Sequence, residues 1–358
     1  MSDGSTVTFQ LPTHVSSLRY THSRKLLVGS DDGSLRVYHP PDVRVVKAIR
    51  GLGDEVSSIA LHRKPKGDED EGRAWVACGT QAILFDYQAE KLVLTRSDAL
   101  DTIVLSEDED DVLNEIAVNS TGKTLAFSTD SGAVGVVDLA SRRVRRMKTR
   151  HSNICGSVSF IPGRHNELVS GGYDSALLHF DFSLGNLSSR QDFSAAPQAS
   201  GISLSPPFVL CLSVHTQGIC AVGTADGHLW IGRGGEDRER GKSSSTKRKR
   251  WNGLAEDQAQ MTRVADGPIV AVAFIECTQV LTCTLRGVLS CHNISASDSS
   301  GSFTVAPIWT TQVMGMEKVN ALSVNLPHIS VGGFNSQGKG LVVVLSRDAA
   351  PNNAVRED

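Results

Sequence analysis

The chain of 358 residues has a formal net charge of −3, with 21% charged and 40% hydrophobic residues. That is an ordinary soluble globular composition, and it excludes the one-signed field expected of a dedicated nucleic-acid or membrane-surface binder. No apolar run approaches the roughly 18 residues of a membrane helix, and residues 1–5 lead into no signal-like apolar region. A cytoplasmic or nuclear location is expected, with no membrane partner.

Taken in order, the chain begins with a short alternating segment at 6–11, Thr-Val-Thr-Phe-Gln-Leu, and then repeats one theme. An apolar, β-branched strand ends in a small-residue step, a Gly/Asp/Ser turn follows, and a second alternating strand closes on an aromatic or an Asp. The copies lie at 26–38, 75–86, 125–138, 168–182, 221–229, 280–291 and 329–344. The fourth is the fullest, with His151 ahead of its first strand, Ser170 in the second, Asp174 in the turn and Phe180-Asp181 at the close. This order resembles one blade of a WD-repeat propeller.

A blade has two apolar faces and packs only between neighbours of its own kind, so seven copies imply an all-β, seven-bladed ring. The blades are expected at about 14–39, 55–87, 113–139, 151–183, 208–233, 268–293 and 318–346. The segment at 6–11 is a spare strand, expected to close the last blade and remove its exposed edge. Residues 347–358 read as a flexible tail.

Polar insertions interrupt the pattern. Residues 64–72 read as a solvated loop. The run Ser106-Glu107-Asp108-Glu109-Asp110-Asp111 repels itself and points to disorder, with a dock for a basic partner or a phosphorylated Ser106 as the alternatives. Residues 232–261 read as a disordered basic insertion carrying Lys247, Arg248, Lys249 and Arg250. That cluster fits a nuclear-import signal, a plain solvated loop or a phosphate contact; with Trp251 alone as an aromatic platform, nucleic acid is the weakest of the three.

Catalytic and cofactor motifs fail on inspection. Gly122-Lys123-Thr124 and Gly241-Lys242-Ser243 end like phosphate loops, but Ala117 and Glu236 stand where the first glycine is needed. None of the seven cysteines forms a Cys-x-x-Cys pair, so buried free thiols are expected rather than a metal or redox site. His151, Ser170 and Asp174 imitate a triad, yet in WD-repeat blades such a set is a structural network; the turn residues Asp32, Asp130, Asp174 and Asp226 recur for the same architectural reason. No enzyme activity, cofactor or metal is expected.

Residues 114–182, above all Arg150-His151-Ser152-Asn153-Ile154-Cys155-Gly156 with Leu168-Val169-Ser170-Gly171-Gly172-Tyr173-Asp174, resemble the third and fourth blades of the WD repeat-containing protein 53 family. The resemblance implies a non-enzymatic adaptor that docks on the DNA-damage-binding scaffold of cullin-4 ubiquitin ligases and presents substrates. The family's docking mark is an Arg two residues after a blade-closing Asp. Here the second blade closes Phe85-Asp86-Tyr87-Gln88, with Gln at that place, and Asp42-Val43-Arg44 carries the letters after a strand end. Phe85, Asp86, Gln88 and Arg44 are therefore the candidate partner-binding residues. The alternative is a propeller subunit of a nuclear chromatin or RNA-processing assembly; in either case a monomeric subunit of a larger assembly is expected.

Overall fold

In the computed structural model every copy passes from its second to its third strand through one left-handed residue. These are Gly33, Gly79, Gly132, Ser175, Gly227, Gly287 and Gly338, with φ between 55° and 87°. Tight antiparallel turns need that conformation, and glycine supplies it without a Cβ penalty. The structure describes residues 6–63, 72–194, 205–233, 251–296 and 303–347.

The strands form seven antiparallel blades, of which six have four strands and the first has a fifth. The innermost strands are Val15–Tyr20, Val56–Leu61, Leu113–Val118, Cys155–Phe160, Val209–Val214, Ile269–Glu276 and Lys318–Asn325. The last blade is closed from the other end of the chain: Val7–Leu11 pairs antiparallel with Gly340–Ser346, from Val7 opposite Val344 to Leu11 opposite Gly340. The expected seven blades and closing strand are both present.

Apolar side chains of consecutive blades meet in seven separate cores, one at each joint. Alternation along each strand sends one set of side chains to each neighbour, so the core of this fold is distributed around the ring. The second strand of blade one, Leu26–Ser30, is buried at every residue because it has a blade on both faces.

Every inner strand carries a β-bulge at the same place, between Val15 and Ser17 in blade one and between Leu113 and Glu115 in blade three, for example. A bulge leaves backbone groups off the ladder, on the edge that faces the channel. Neighbouring blades satisfy them: Ser16 Oγ donates to Val56 O at 2.7 Å, Asn114 Nδ2 to Cys155 O at 3.2 Å, and Asn320 Nδ2 to Val15 O at 2.8 Å. The last of these links blade seven to blade one.

Four expectations are corrected. The blades extend beyond the expected limits because outer strands such as Val144–Arg146 and Asn186–Asp192 were not recognisable. The acidic run 106–111 is ordered: Ser106 is buried and donates to Asp111 Oδ2 at 3.2 Å, while Asp111 Oδ1 accepts the Ser131 N–H at 2.8 Å. That tucked hydroxyl is poorly placed for phosphorylation.

The insertion at 232–261 is shorter than expected. The strand His228–Arg233 reaches its near side, and on its far side Trp251 is buried and Ala259–Arg263 is the outer strand of blade five; 234–250 lie outside the described residues. Arg347, placed in the expected tail, belongs to the fold: its guanidinium meets Glu276 Oε1 at 3.1 Å and Gln279 Oε1 at 3.2 Å, and residues 348–358 lie outside the described residues.

Between the third strand of blade two and its outer strand, Asp101–Val104, the chain makes a detour. Val93–Thr95 runs parallel to Asp42–Arg50, the outer strand of blade one, and becomes that blade's fifth strand. Leu94 is buried in the joint between the two blades, and Lys47 Nζ donates to Lys91 O at 2.9 Å and to Ala89 O.

Candidate functional site

The seven inner strands surround a channel of about 910 Å³. Four residues past the residue preceding the bulge, six blades present a small side chain: Ala60, Ala117, Ser159, Ser213, Ala273 and Ser323. The seventh presents Arg19, which is open to the channel. The surrounding strands still desolvate its guanidinium and lower its pKa, and the Arg63 cation adds to that shift while Glu115 opposes it.

Glu115 lies two residues after the start of the bulge in blade three, and its Oε2 accepts the Val158 N–H of blade four at 2.8 Å. Burial pushes its carboxyl up to about 7, against the opposing effects of that hydrogen bond and of Arg19. Among the described residues no group of three or more His, Cys, Asp or Glu side chains is arranged to hold a metal ion, and no helix is long and apolar enough to cross a membrane.

The candidate partner residues divide. Phe85 is 1% exposed, in the core between blades one and two, so the expectation that it touches a partner is overturned: alternation points the aromatic inward. Asp86 is half-buried and accepts the Gln88 N–H at 2.8 Å, while Gln88 is exposed. The Gln88 side chain lies over Gly72, where an added Cβ would come within 2.5 Å of its Cγ. Arg44 is exposed, but its guanidinium folds onto Asp42, with Nε and Nη2 at 3.1 and 2.9 Å from Oδ2. Those bonds hold the Asp42 carboxyl below its usual range and raise Arg44. The Asp-x-Arg letters of blade one thus form a local ion pair.

Beside these residues lies a surface that sequence reasoning missed. Of the ten large apolar side chains exposed among the described residues, seven fall on the outer edge of blades one and two: Val43, Val45 and Val46, Leu92 and Val93, Leu100 and Val104. The parallel pairing and the reach of Lys47 to the carbonyls of Ala89 and Lys91 join the segments that carry the first five; Leu100 and Val104 flank and end the outer strand of blade two, which pairs with that blade's third strand. Isolated exposed valines are ordinary, but exposed apolar residues concentrated on neighbouring outer strands are a mark of interaction. The legible signal was Val-Arg-Val-Val in a strand whose burial pattern leaves four consecutive residues exposed.

In blade four His151 Nδ1 lies 2.8 Å from Asp174 Oδ1 and His151 Nε2 lies 2.8 Å from Ser170 Oγ, with the imidazole fully buried. Burial lowers the His151 pKa, against the pull of Asp174. The neutral ring with its proton on Nδ1 donates to Asp174 and accepts the Ser170 hydroxyl. The other turn carboxylates also bond within their own turns or to nearby side chains: Asp32 accepts Ser34 N at 3.1 Å, Asp130 accepts Asn114 Nδ2 at 2.9 Å, and Asp226 accepts Thr224 Oγ1 at 2.5 Å. Lys247, Arg248, Lys249 and Arg250 lie outside the described residues.

A search of protein-family models finds no match to the chain. Among curated proteins, WD repeat-containing protein 53 homolog of Dictyostelium discoideum is 21% identical over 235 residues, 59% of this chain. The protein is a seven-bladed β-propeller. Similarity to this relative agrees with the resemblance carried by residues 114–182, and the match spans 60% of the relative's length. A propeller of this kind carries its binding surfaces on the rims and loops of its blades.

Proposed function

We propose that this propeller is a non-enzymatic scaffold whose principal docking surface is the apolar outer rim of blades one and two, and that it serves as a substrate receptor of a cullin-4 type ubiquitin ligase. The observation that carries the reading is the concentration of exposed apolar residues from Val43 to Val104 beside Asp86 and Gln88. Buried apolar surface supplies most of the affinity of a protein interface, while charged rim residues set orientation. Gln88 offers the DNA-damage-binding scaffold a neutral hydrogen bond where the family's Arg would make a charged, bidentate contact. On this reading the apolar rim supplies affinity that the missing charge does not.

The test is affinity purification of the tagged full chain from its own cells, beside Val45→Asp with Leu92→Asp, Asp86→Lys, and neutralised Lys247, Arg248, Lys249 and Arg250. The ligase scaffold should be recovered with the parent and lost with the rim double variant. Recovery of a chromatin or RNA-processing assembly instead, lost on neutralising the basic cluster, would replace the ligase reading with the nuclear alternative.

A further inference from the structure

The channel holds a charge imbalance that the scaffold reading does not use. Arg19 and Arg63 line it against the single lining carboxylate of Glu115, and Arg164, which also acts on the Glu167 carboxylate, stands at its mouth. Arg19 and Arg63 come from adjoining blades, and the Arg63 cation helps depress the Arg19 pKa. Among the described residues neither guanidinium makes a side-chain hydrogen bond or an ion pair. Two cations facing one lumen with Glu115 as its one lining carboxylate is an unfavourable arrangement that a further anion would relieve.

The space around Arg19 is open for a reason visible in the strands. At its level the other six blades carry only Ala or Ser, so nothing fills the lumen beside the guanidinium. Beyond the strand ends Arg63, Arg164, His22, His165 and His215 stand around the same end of the channel, on blades one, two, four and five. An arginine fork pairs with phosphate oxygens in bidentate fashion, and several forks around one lumen suit a ligand with several anionic groups.

We propose that the channel binds a small polyphosphate anion, held by Arg19 and Arg63 with Arg164 at the mouth. About 910 Å³ accommodates such a ligand with its water. The site is separate from the outer rim of blades one and two, so ligand binding and partner docking are independent properties.

The experiment is calorimetric titration of the full chain with tripolyphosphate, with a pentaglutamate peptide as the second arm. The expected result is one tripolyphosphate per chain, binding that weakens with added salt, and a loss of about tenfold or more in affinity for Arg19→Gln and for Arg63→Gln. Arg19→Lys, which keeps the charge and loses the fork, should fall between. Thermal melts without ligand should be no lower for either Gln variant, because each removes an unpaired cation.

The control neutralises Lys247, Arg248, Lys249 and Arg250 and should bind as the parent does. Binding lost in that control, binding unchanged by both Gln substitutions, tighter binding of pentaglutamate, or no heat at millimolar tripolyphosphate would each overturn the proposal.

Discussion

Glu115 and Val158 sit on different blades, and the carboxylate of one accepts the backbone N–H of the other at 2.8 Å. The bond satisfies an amide on the channel-facing edge of blade four, at the expense of a carboxyl drawn out of bulk water. Between its ordinary 4.5 and about 7 the folded protein keeps a proton that the unfolded chain has released. This group's contribution to stability is therefore fully present at low pH and is lost as pH rises through that window. Glu115→Gln keeps an acceptor for Val158 and does not titrate. Differential scanning calorimetry should find the variant level with the parent near pH 4.5 and more stable above about pH 7; a gap independent of pH would contradict the assignment.

Asp174→Ala should destabilise the protein by about 2–3 kcal/mol in urea titrations, because it strands the donor of a fully buried imidazole. Asp174→Asn retains an acceptor and should lose less. Burial lowers the pKa of His151 and pushes that of His292 down to about 4. The unfolded chain takes up protons near 6.5 that the folded chain refuses, so the contribution of these two histidines is present above that pH and declines as pH falls below it. His292→Gln should flatten that decline.

Removal of residues 1–11 should cause two separable effects. Burial of Phe9 and Leu11 is lost, worth roughly 1.5–3 kcal/mol for each side chain, and the melting temperature should fall accordingly. The edge of Gly340–Ser346 is then unpaired, and sedimentation velocity should detect association that grows with concentration. A monomer with the parent's melting temperature would show that the closing strand is dispensable.

Trp251 tests whether the residues after the basic insertion belong to the fold. Its ring is buried, meets His179 edge-on at 4.9 Å, and its Nε1 donates to Gly218 O at 2.9 Å. Trp251→Ala should destabilise by about 3–5 kcal/mol, and Trp251→Phe, which chiefly removes the hydrogen bond, by about 1 kcal/mol. Equal melting curves for both variants and the parent would mean the indole carries no weight.

The repeat was legible because its turns demand particular residues. Asp31-Asp32-Gly33 and Thr129-Asp130-Ser131-Gly132 announce strands on either side, and the spare strand at 6–11 followed from counting. Outer strands were harder. Asn186–Asp192 and Val144–Arg146 have one face in solvent and are held by backbone pairing with the third strand, which leaves little alternation to read. The parallel detour of Val93–Thr95 has three residues, and its pairing is dictated by a neighbouring blade.

Phe85 was misjudged because the aromatic-Asp motif marks a position along the chain, whereas accessibility depends on which face of the strand the residue occupies. Arg19 and Glu115 look in sequence like ordinary solvent-facing charges within a strand. Only their offset from the bulge, once the seven inner strands are laid side by side, reveals that they face the channel.

The pairing that closes the ring also determines how it would yield to force. Val7–Leu11 and Gly340–Ser346 run antiparallel with Val7 beside Val344, so handles attached at residues 6 and 347 would pull on the same end of the pair. Load would fall on one hydrogen bond at a time, and the seam would unzip rather than shear. A ring sealed against heat by Phe9 and Leu11 is, along this direction, its own pull-tab.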